Sequence, residues 1–102
     1  MGTNYYLHKK DAEPIHIGKT SYNKKFLFTS QRAASAYWFV ELARAGEYGS
    51  YVLDEYGQKI DPIILMKNIM MLNVFGETHK TKEDPGVTLD AWGYELLGGE
   101  WC

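Results

Sequence analysis

The stretch Pro14-Ile15-His16-Ile17-Gly18-Lys19-Thr20-Ser21 decides how the rest of the chain is interpreted. Its two isoleucines alternate with His16, the period-two pattern of a strand, so they are predicted on one face and the histidine on the other. The ending Gly-Lys-Thr matches the end of a phosphate-binding loop, but that motif requires Gly-x-x-x-x-Gly-Lys-Ser/Thr and Glu13 occupies the first glycine position. Residues 13–19 are therefore predicted to be a core strand.

Strand-like runs lie on both sides of this stretch. The run Asn4-Tyr5-Tyr6-Leu7 is short and rich in aromatic residues, which favours a first strand. On the other side, Phe26 and Phe28 fall on one face of a predicted strand over residues 24–29. Because a turn-rich segment joins it to the central strand, the two are predicted to form a hairpin.

Residues 31–45 are predicted to form the first helix. They contain neither glycine nor proline, follow a threonine and a serine that can cap a helix, and end at Gly46. The apolar residues form two stripes, which predicts extensive burial or one face reserved for a partner. The stripes are Ala33, Ala36, Tyr37 and Val40, and Ala34, Trp38, Leu42 and Ala45.

A second helix is predicted over residues 62–72. Asp61 precedes a proline at the first helical position, which is a common way for a helix to begin. Only Lys67 and Asn68 are polar within the run. This helix is therefore expected to be buried or to present a methionine-rich surface, since methionine packs adaptably in both settings.

The remaining segments complete a single α+β domain over residues 1–102. Residues 51–54 and 58–60 favour a small hairpin, and residues 87–89 and 94–97 favour closing strands. The polar segment between Gly76 and Gly86 is expected to be a mobile loop, or a loop that a partner orders. The predicted architecture is an antiparallel sheet of about five strands with two helices packed against it.

Composition limits the class of protein. The chain has 102 residues, of which 45% are hydrophobic and 15% aromatic, so it is long enough for one folded domain. The longest apolar run, residues 36–40, is far shorter than the ~20 residues that cross a bilayer. The single cysteine, Cys102, excludes an internal disulfide, and the first residues lack the pattern of a signal peptide. We expect a soluble, cytoplasmic protein.

Charge is distributed unevenly along the chain. Residues 1–32 carry six basic and two acidic side chains, whereas the remainder carries five basic and eleven acidic ones. This asymmetry leaves two alternatives open, one basic and one acidic face, or two ordinary solvated faces. A net charge of -2 is too small to favour acidic mimicry of DNA. Only clustering on one face would favour it, and the residues concerned are Glu77, Glu83, Asp84, Asp90 and Glu95.

No constellation of residues predicts an enzyme, a metal site or a cofactor. His8 and His16 lie on neighbouring predicted strands, but no pair of histidines or cysteines has the close spacing of a zinc site. The adjacent carboxylates Asp54-Glu55 and Glu83-Asp84 are predicted to point to opposite faces or into solvent, so neither is a convincing acid/base dyad.

Nucleotide or single-stranded nucleic-acid binding has one supporting pattern. Lys19, Lys24 and Lys25 surround Tyr22 at the predicted hairpin tip, which combines cations that attract phosphate with a ring on which a base can stack. The same composition also describes an ordinary exposed turn, so both interpretations stay open.

Six stretches of the sequence carry a resemblance to known proteins. They are Met1-Gly2-Thr3-Asn4-Tyr5-Tyr6, Ile15-His16-Ile17-Gly18-Lys19-Thr20-Ser21, Phe26-Leu27-Phe28, Leu53-Asp54-Glu55-Tyr56-Gly57, Asp90-Ala91-Trp92-Gly93-Tyr94-Glu95-Leu96 and Gly99-Glu100-Trp101. In these stretches, over about two-thirds of its length, the chain resembles a family of small proteins encoded by tailed phages and prophages. Members often carry a Cys-x-x-Cys pair where this chain has Lys9-Lys10-Asp11-Ala12, so a metal role is not carried over. The resemblance implies a phage origin and brings no established activity.

The leading functional hypothesis is a non-enzymatic protein that inhibits a host component. The expected target is a host protein or complex in the host cytoplasm, for example a CRISPR-Cas defence system, and no membrane partner is expected. Aromatic residues dominate many interfaces, so those that are exposed are expected to be anchors. The alternatives are a nucleotide or nucleic-acid binder and a virion or assembly component, and the oligomeric state is left open. The predicted anchors are Tyr5, Tyr6, Tyr22, Trp38 and Trp101.

Overall fold

Two helices pack against one face of a seven-stranded mixed sheet. The computed structural model of the chain describes residues 2–29, 35–78 and 87–97. The elements in chain order are β1 (Thr3–His8), β2 (Ile15–Thr20), β3 (Leu27–Thr29), α1 (Ser35–Ala43), β4 (Ala45–Tyr48), β5 (Tyr51–Asp54), β6 (Lys59–Ile60), α2 (Pro62–Phe75), β7 (Val87–Leu89) and β8 (Glu95–Leu97).

The α+β class is confirmed, but the prediction of a purely antiparallel sheet of about five strands is wrong. The order is β6-β5-β1-β2-β3-β8-β7, and β8 runs parallel to β3 while every other neighbouring pair is antiparallel. The closing strands β7 and β8 form the predicted hairpin and dock on the free edge of β3. A sequence pattern shows that a strand is apolar, but it does not show which edge the strand will extend.

The central stretch is β2, and a β-bulge sets the direction of its side chains. Tyr5 pairs with Gly18 and Tyr6 with His16, so Ile17 is the extra residue on β2. Ile17 is wholly buried in the core and Ile15 packs against the same cluster. His16 stacks on Tyr6, which confirms that it lies on the face opposite to the isoleucines.

The core is a single cluster between the sheet and the helices. Its aromatic centre includes Phe26, Phe28 and Phe39. The ring centroids of Phe26 and Phe28 are 4.8 Å apart, and those of Phe28 and Phe39 are 5.9 Å apart. Both pairs are edge-to-face, a favoured geometry for aromatic rings. Trp38 is completely buried in the same cluster. Its other members are Leu7, Ile17, Leu42, Val52, Leu65 and Ile69.

The first helix ends two residues earlier than predicted. Within the described residues α1 stops at Ala43, and Ala45 already begins β4. Gly46 has φ of +100° and donates its N–H to the carbonyl of Ser50, so the chain leaves the helix to form a turn. The start of the predicted helix, residues 31–34, lies outside the described residues.

The second helix is longer than predicted and has a clear start and end. Asp61 caps it by accepting hydrogen bonds from the N–H groups of Ile63 at 2.9 Å and Ile64 at 3.4 Å. It continues to Phe75, three residues beyond the predicted end, and stops at Gly76. A Cβ on Gly76 would lie 2.7 Å from backbone atoms of Lys24 and Lys25, so this end of the helix packs directly on the β2–β3 connection.

Substitution of Gly18 tests the contact between β2 and β3. A Cβ at this position would lie 2.3 Å from the carbonyl oxygen of Leu27 and 2.6 Å from the Phe26 ring. Since a backbone atom cannot move aside as a side chain can, we expect Gly18→Ala to lower the free energy of unfolding by about 1–3 kcal/mol in urea titrations. Gly57→Asn is the control, because nothing lies within 4 Å of its Cβ position and asparagine tolerates a positive φ. An equal loss in both variants would contradict the proposed steric cause.

Candidate functional site

The second helix leaves most of its apolar residues exposed. Leu65 and Ile69 reach the core, and Met66 and Leu72 pack against it. The structure thus shows the methionine-rich surface that was one of the two expectations for this helix. We call the exposed side of the helix the α2 face. Its members are Ile63, Ile64, Lys67, Asn68, Met70, Met71, Val74 and Phe75.

The α2 face is a continuous strip along the whole helix. With about 100° between successive residues, its eight members cover a little under half of the helix circumference. The residues that enter the core lie on the other side, as the period of an α-helix requires. Exposed apolar residues scattered singly are normal, whereas six of them on one side of one helix, interrupted only by Lys67 and Asn68, indicate an interaction site.

A small cavity opens beside the α2 face. It has a volume of about 220 Å³ and lies between the helix and the sheet, with Tyr5 and Thr20 on the sheet side and Met71 and Phe75 on the helix side. Small-molecule sites usually have volumes of about 300–1,000 Å³. This cavity is smaller, and its size and apolar lining suit one side chain of a partner.

The β2–β3 hairpin tip is fixed to the end of α2. Glu77 donates its N–H to the carbonyl of Asn23 at 2.7 Å, and Lys25 donates its N–H to the carbonyl of Glu77 at 2.9 Å. These bonds bring the tip beside the last turn of the helix. Tyr22 at the tip is 80% exposed and Phe75 is 82% exposed, so this end of the molecule presents two large uncovered rings.

The five predicted aromatic anchors do not form one surface. Tyr22 is exposed, and Tyr5 lies at the edge of the core against Phe26, where it lines the cavity. Tyr6 is on the opposite face of the sheet, stacked on His16 at 5.0 Å. The prediction of Trp38 as an anchor is wrong, because its side chain has no exposed surface and is not available to a partner in this fold. The remaining anchor, Trp101, lies outside the described residues.

The predicted nucleotide-binding residues divide between two places. Tyr22, Lys24 and Lys25 are at the hairpin tip beside α2. Lys19 lies within β2, paired with Asn4 on one side and Leu27 on the other. Only the first three therefore belong to one compact surface.

Of the five acidic residues predicted as candidates for a DNA-like face, the three that the structure describes lie in different settings. Glu95 is buried in β8, whereas Asp90 lies in the β7–β8 turn and Glu77 is next to the hairpin tip. Glu83 and Asp84, which were also considered for such a face, lie outside the described residues.

The sheet face opposite the helices carries stacked rings that sequence analysis did not predict. His8 stacks on Tyr51 with centroids 5.1 Å apart, and the Lys59 ammonium lies 5.5 Å from the centroid of Tyr51. The Nε2 atom of His16 lies 2.9 Å from the Asn4 carbonyl oxygen Oδ1. The His8–Tyr51 contact depends on the β1–β5 register and the His16–Asn4 contact on the β1–β2 register, neither of which is visible in a single strand pattern.

Burial lowers the pKa of His16 below its usual value of 6.5. A hydrogen bond with the backbone of Gly18 acts in the opposite direction, and the charge of Lys19 adds to the decrease. His16 is therefore neutral near pH 7, which suits its position in a stacked and largely dry environment.

Hydrogen bonds between Ser35 and Asp90 join α1 to the β7–β8 turn. The Ser35 hydroxyl and its N–H both donate to Oδ2 of Asp90, the latter at 2.9 Å. The other carboxylate oxygen accepts from the N–H groups of Trp92 at 2.9 Å and Tyr94 at 3.0 Å. Both carboxylate oxygens are occupied by these bonds, so the pair holds the β7–β8 turn to the start of α1.

Hydrogen bonding sets the ionisation of this carboxyl. Burial alone raises the pKa of Asp90, but the bonds from the Ser35 side chain and from three backbone N–H groups outweigh it. The pKa consequently lies below the usual 3.8, and the carboxylate is charged under ordinary conditions.

Neither a metal site nor a membrane-spanning helix is found in the described parts of the chain. Within residues 2–29, 35–78 and 87–97, no three histidine, cysteine, aspartate or glutamate side chains are grouped to hold an ion. The helices in the same ranges are too short, or insufficiently apolar, to span a bilayer.

Comparison with known proteins finds no family model, no curated protein and no solved structure that matches this chain. The resemblance to phage proteins therefore stays a prediction.

Replacement of Asp90 by asparagine tests the contact between the turn and α1. The native-state pKa of Asp90 is depressed, so its stabilisation is fully present above the unfolded value of 3.8 and is lost as pH falls through the folded value. We expect Asp90→Asn to be less stable than the wild type by about 0.5–2 kcal/mol at neutral pH, the usual range for loss of a capping side chain. The difference is expected to narrow between about pH 5 and pH 2.

Urea midpoints measured across this pH range check the prediction. Asp11→Asn is the control, because Asp11 is exposed in the β1–β2 turn. A pH-independent gap between Asp90→Asn and the wild type would show that the carboxylate charge is not the cause.

Proposed function

We propose that this protein is a non-enzymatic binding protein that recognises another protein through the α2 face. The observation that carries the proposal is the exposure of six apolar side chains along one helix whose opposite side is anchored in the core. A helix with apolar residues on both sides is typical of an element that is covered by a partner.

The form of the surface agrees with recognition of a protein rather than a small molecule. Methionines at positions 70 and 71 are exposed, and flexible methionine side chains occur often at adaptable binding surfaces. Phe75 stands at one end of the strip and the small cavity lies beside it. An aromatic residue next to a pocket is a common arrangement at the energetic centre of an interface.

We further propose that binding inhibits a host component, with the chain acting as an anti-defence protein of the anti-CRISPR type. Support for this narrower proposal comes from the resemblance of its opening and central stretches to phage proteins. It also agrees with the α2 face, because an inhibitor without catalytic groups acts by occupying a surface of its target. On this proposal the protein works as a stoichiometric ligand and has no catalytic role.

Polar substitution on the α2 face tests the proposed function. We expect Met71→Gln combined with Val74→Gln to reduce recovery of the partner from host lysate at least tenfold, because each loses apolar burial of roughly 1 kcal/mol or more at an interface. Both side chains are exposed, so the thermal midpoint is expected to change little. The measurement is quantitative mass spectrometry of proteins retained by the immobilised chain.

Leu89→Gln is the matched control, since Leu89 is an equally exposed apolar residue located on β7. Stoichiometric recovery of one host protein by the wild type and by Leu89→Gln, but not by the double variant, supports the proposal. Recovery that is the same for all three chains would contradict it.

Nucleotide or single-stranded nucleic-acid binding is a second candidate function at the hairpin tip. The specific observation is the almost complete exposure of Tyr22 beside two lysines, on a tip held in place by the backbone of Glu77. An exposed ring with neighbouring cations is the arrangement that single-strand binders use.

Thermal shift at low salt with nucleotides and short oligonucleotides tests this candidate. Binding is expected to raise the thermal midpoint of the wild type, with a smaller rise in Tyr22→Ala and a loss of the effect at high salt. Lys59→Ala is the control because Lys59 lies on β6, away from the tip. A flat response of the wild type to the whole panel excludes this function.

A further inference from the structure

We propose that the partner of the α2 face is a different protein whose own apolar surface carries a carboxylate at its centre, placed to pair with Lys67. This inference depends on the proposed function and specifies the chemistry of the partner. It is drawn from the position of one charge within the face and from the absence of a compensating charge nearby in the described residues.

Lys67 lies at the centre of the α2 face in both directions. Along the helix axis, Lys67 lies one turn after Ile63 and one turn before Met71. Around the helix circumference, it projects in a direction between those of Met70 and Ile64. It is exposed, and it is the only charged residue among the fourteen that form α2. A partner that covers the apolar strip must therefore also cover this ammonium group.

The protein itself supplies no carboxylate for Lys67 within its described part. Lys9 pairs with Glu41 at 3.0 Å, whereas Lys67 makes no salt bridge with a described residue. Asp61, at the start of the helix, already accepts hydrogen bonds from the N–H groups of Ile63 and Ile64. A lysine enclosed in an apolar interface without a partner charge is strongly unfavourable, so the covering surface is expected to provide the carboxylate.

The same charge argues against a second copy of this chain as the occupant. In an antiparallel pair of α2 helices related by a two-fold axis that passes the middle of the helix, the two Lys67 residues are offset by roughly 5 Å along the helix axis. Two like charges at this separation repel each other while the surrounding methionines exclude water. The variant Lys67→Glu carries a charge opposite to that of the wild-type α2 face, so it is a suitable probe for a partner with a central carboxylate.

The experiment mixes the wild type with Lys67→Glu and measures mass by sedimentation velocity. Each chain alone is expected to sediment as a monomer, because its charge at position 67 repels its own copy. The equimolar mixture is expected to show a species of twice the monomer mass at low salt, and this species is expected to weaken as salt rises. The probe is therefore the full-length Lys67→Glu chain, whose α2 face has a carboxylate at its centre.

Two control mixtures make the result specific. Lys59→Glu mixed with the wild type is expected to stay monomeric, since this lysine lies on β6 and away from the α2 face. Adding Met71→Gln to Lys67→Glu is expected to abolish the mixed dimer, because the apolar contact is then lost. If Lys67→Glu does not fold, Lys67→Asp provides a carboxylate at the same position for the same mixture.

Each other outcome overturns the inference. A mixture that sediments as monomers shows that a central carboxylate does not complement this face. A wild type that dimerises by itself through Met71 identifies a second copy as the occupant. Cosedimentation of the wild type with vesicles of phosphatidylglycerol, lost in Met71→Gln, identifies a lipid surface instead.

The two proposals fail in distinguishable ways. In one case the α2 variants fail to recover the host protein, but the mixture of the wild type with Lys67→Glu stays monomeric. The proposed function then stands, and the inference that the partner carries a carboxylate is rejected. Equal recovery by all variants rejects the proposed function itself, whatever the mixtures show.

Discussion

The close approach of β2 to β3 at Gly18 organises the sheet and the core. With no Cβ at this position, the Phe26 ring and the Leu27 carbonyl come within the space that any side chain would occupy. The bulge beside it directs Ile17 into the core while His16 stays on the other face. The result is a central pair of strands to which β1 and β8 are added on opposite sides.

The two helices have different relations to this sheet. The first helix is held at its start by the carboxylate of Asp90 and places Trp38 fully in the core. The second contributes Leu65 and Ile69 to the same core and keeps its other side uncovered. The first helix therefore stabilises the fold, whereas the second both stabilises it and presents an apolar surface. This difference is the physical basis for placing the candidate site on the second helix.

The α2 helix is fixed at both ends, so the α2 face is a preorganised surface. Asp61 caps the first turn, and the backbone around Glu77 fastens the last turn to the β2–β3 hairpin. A rigid surface loses little conformational freedom when a partner binds, and this favours affinity. The single charge of Lys67 within that surface then discriminates among partners by their own charge.

Local periodicity and capping signals in the sequence are enough to predict the α+β class, the position of most elements and the apolar character of the second helix. They do not predict that β8 runs parallel to β3, that Trp38 is buried or that Met71 is exposed, and these features are known only from the folded structure. Periodicity could not assign Trp38 to a surface or to the core, since both helices have more apolar residues than one face can hold. The outcome depends on which side of each helix meets the sheet, and that is set by long-range packing rather than by neighbours in the chain.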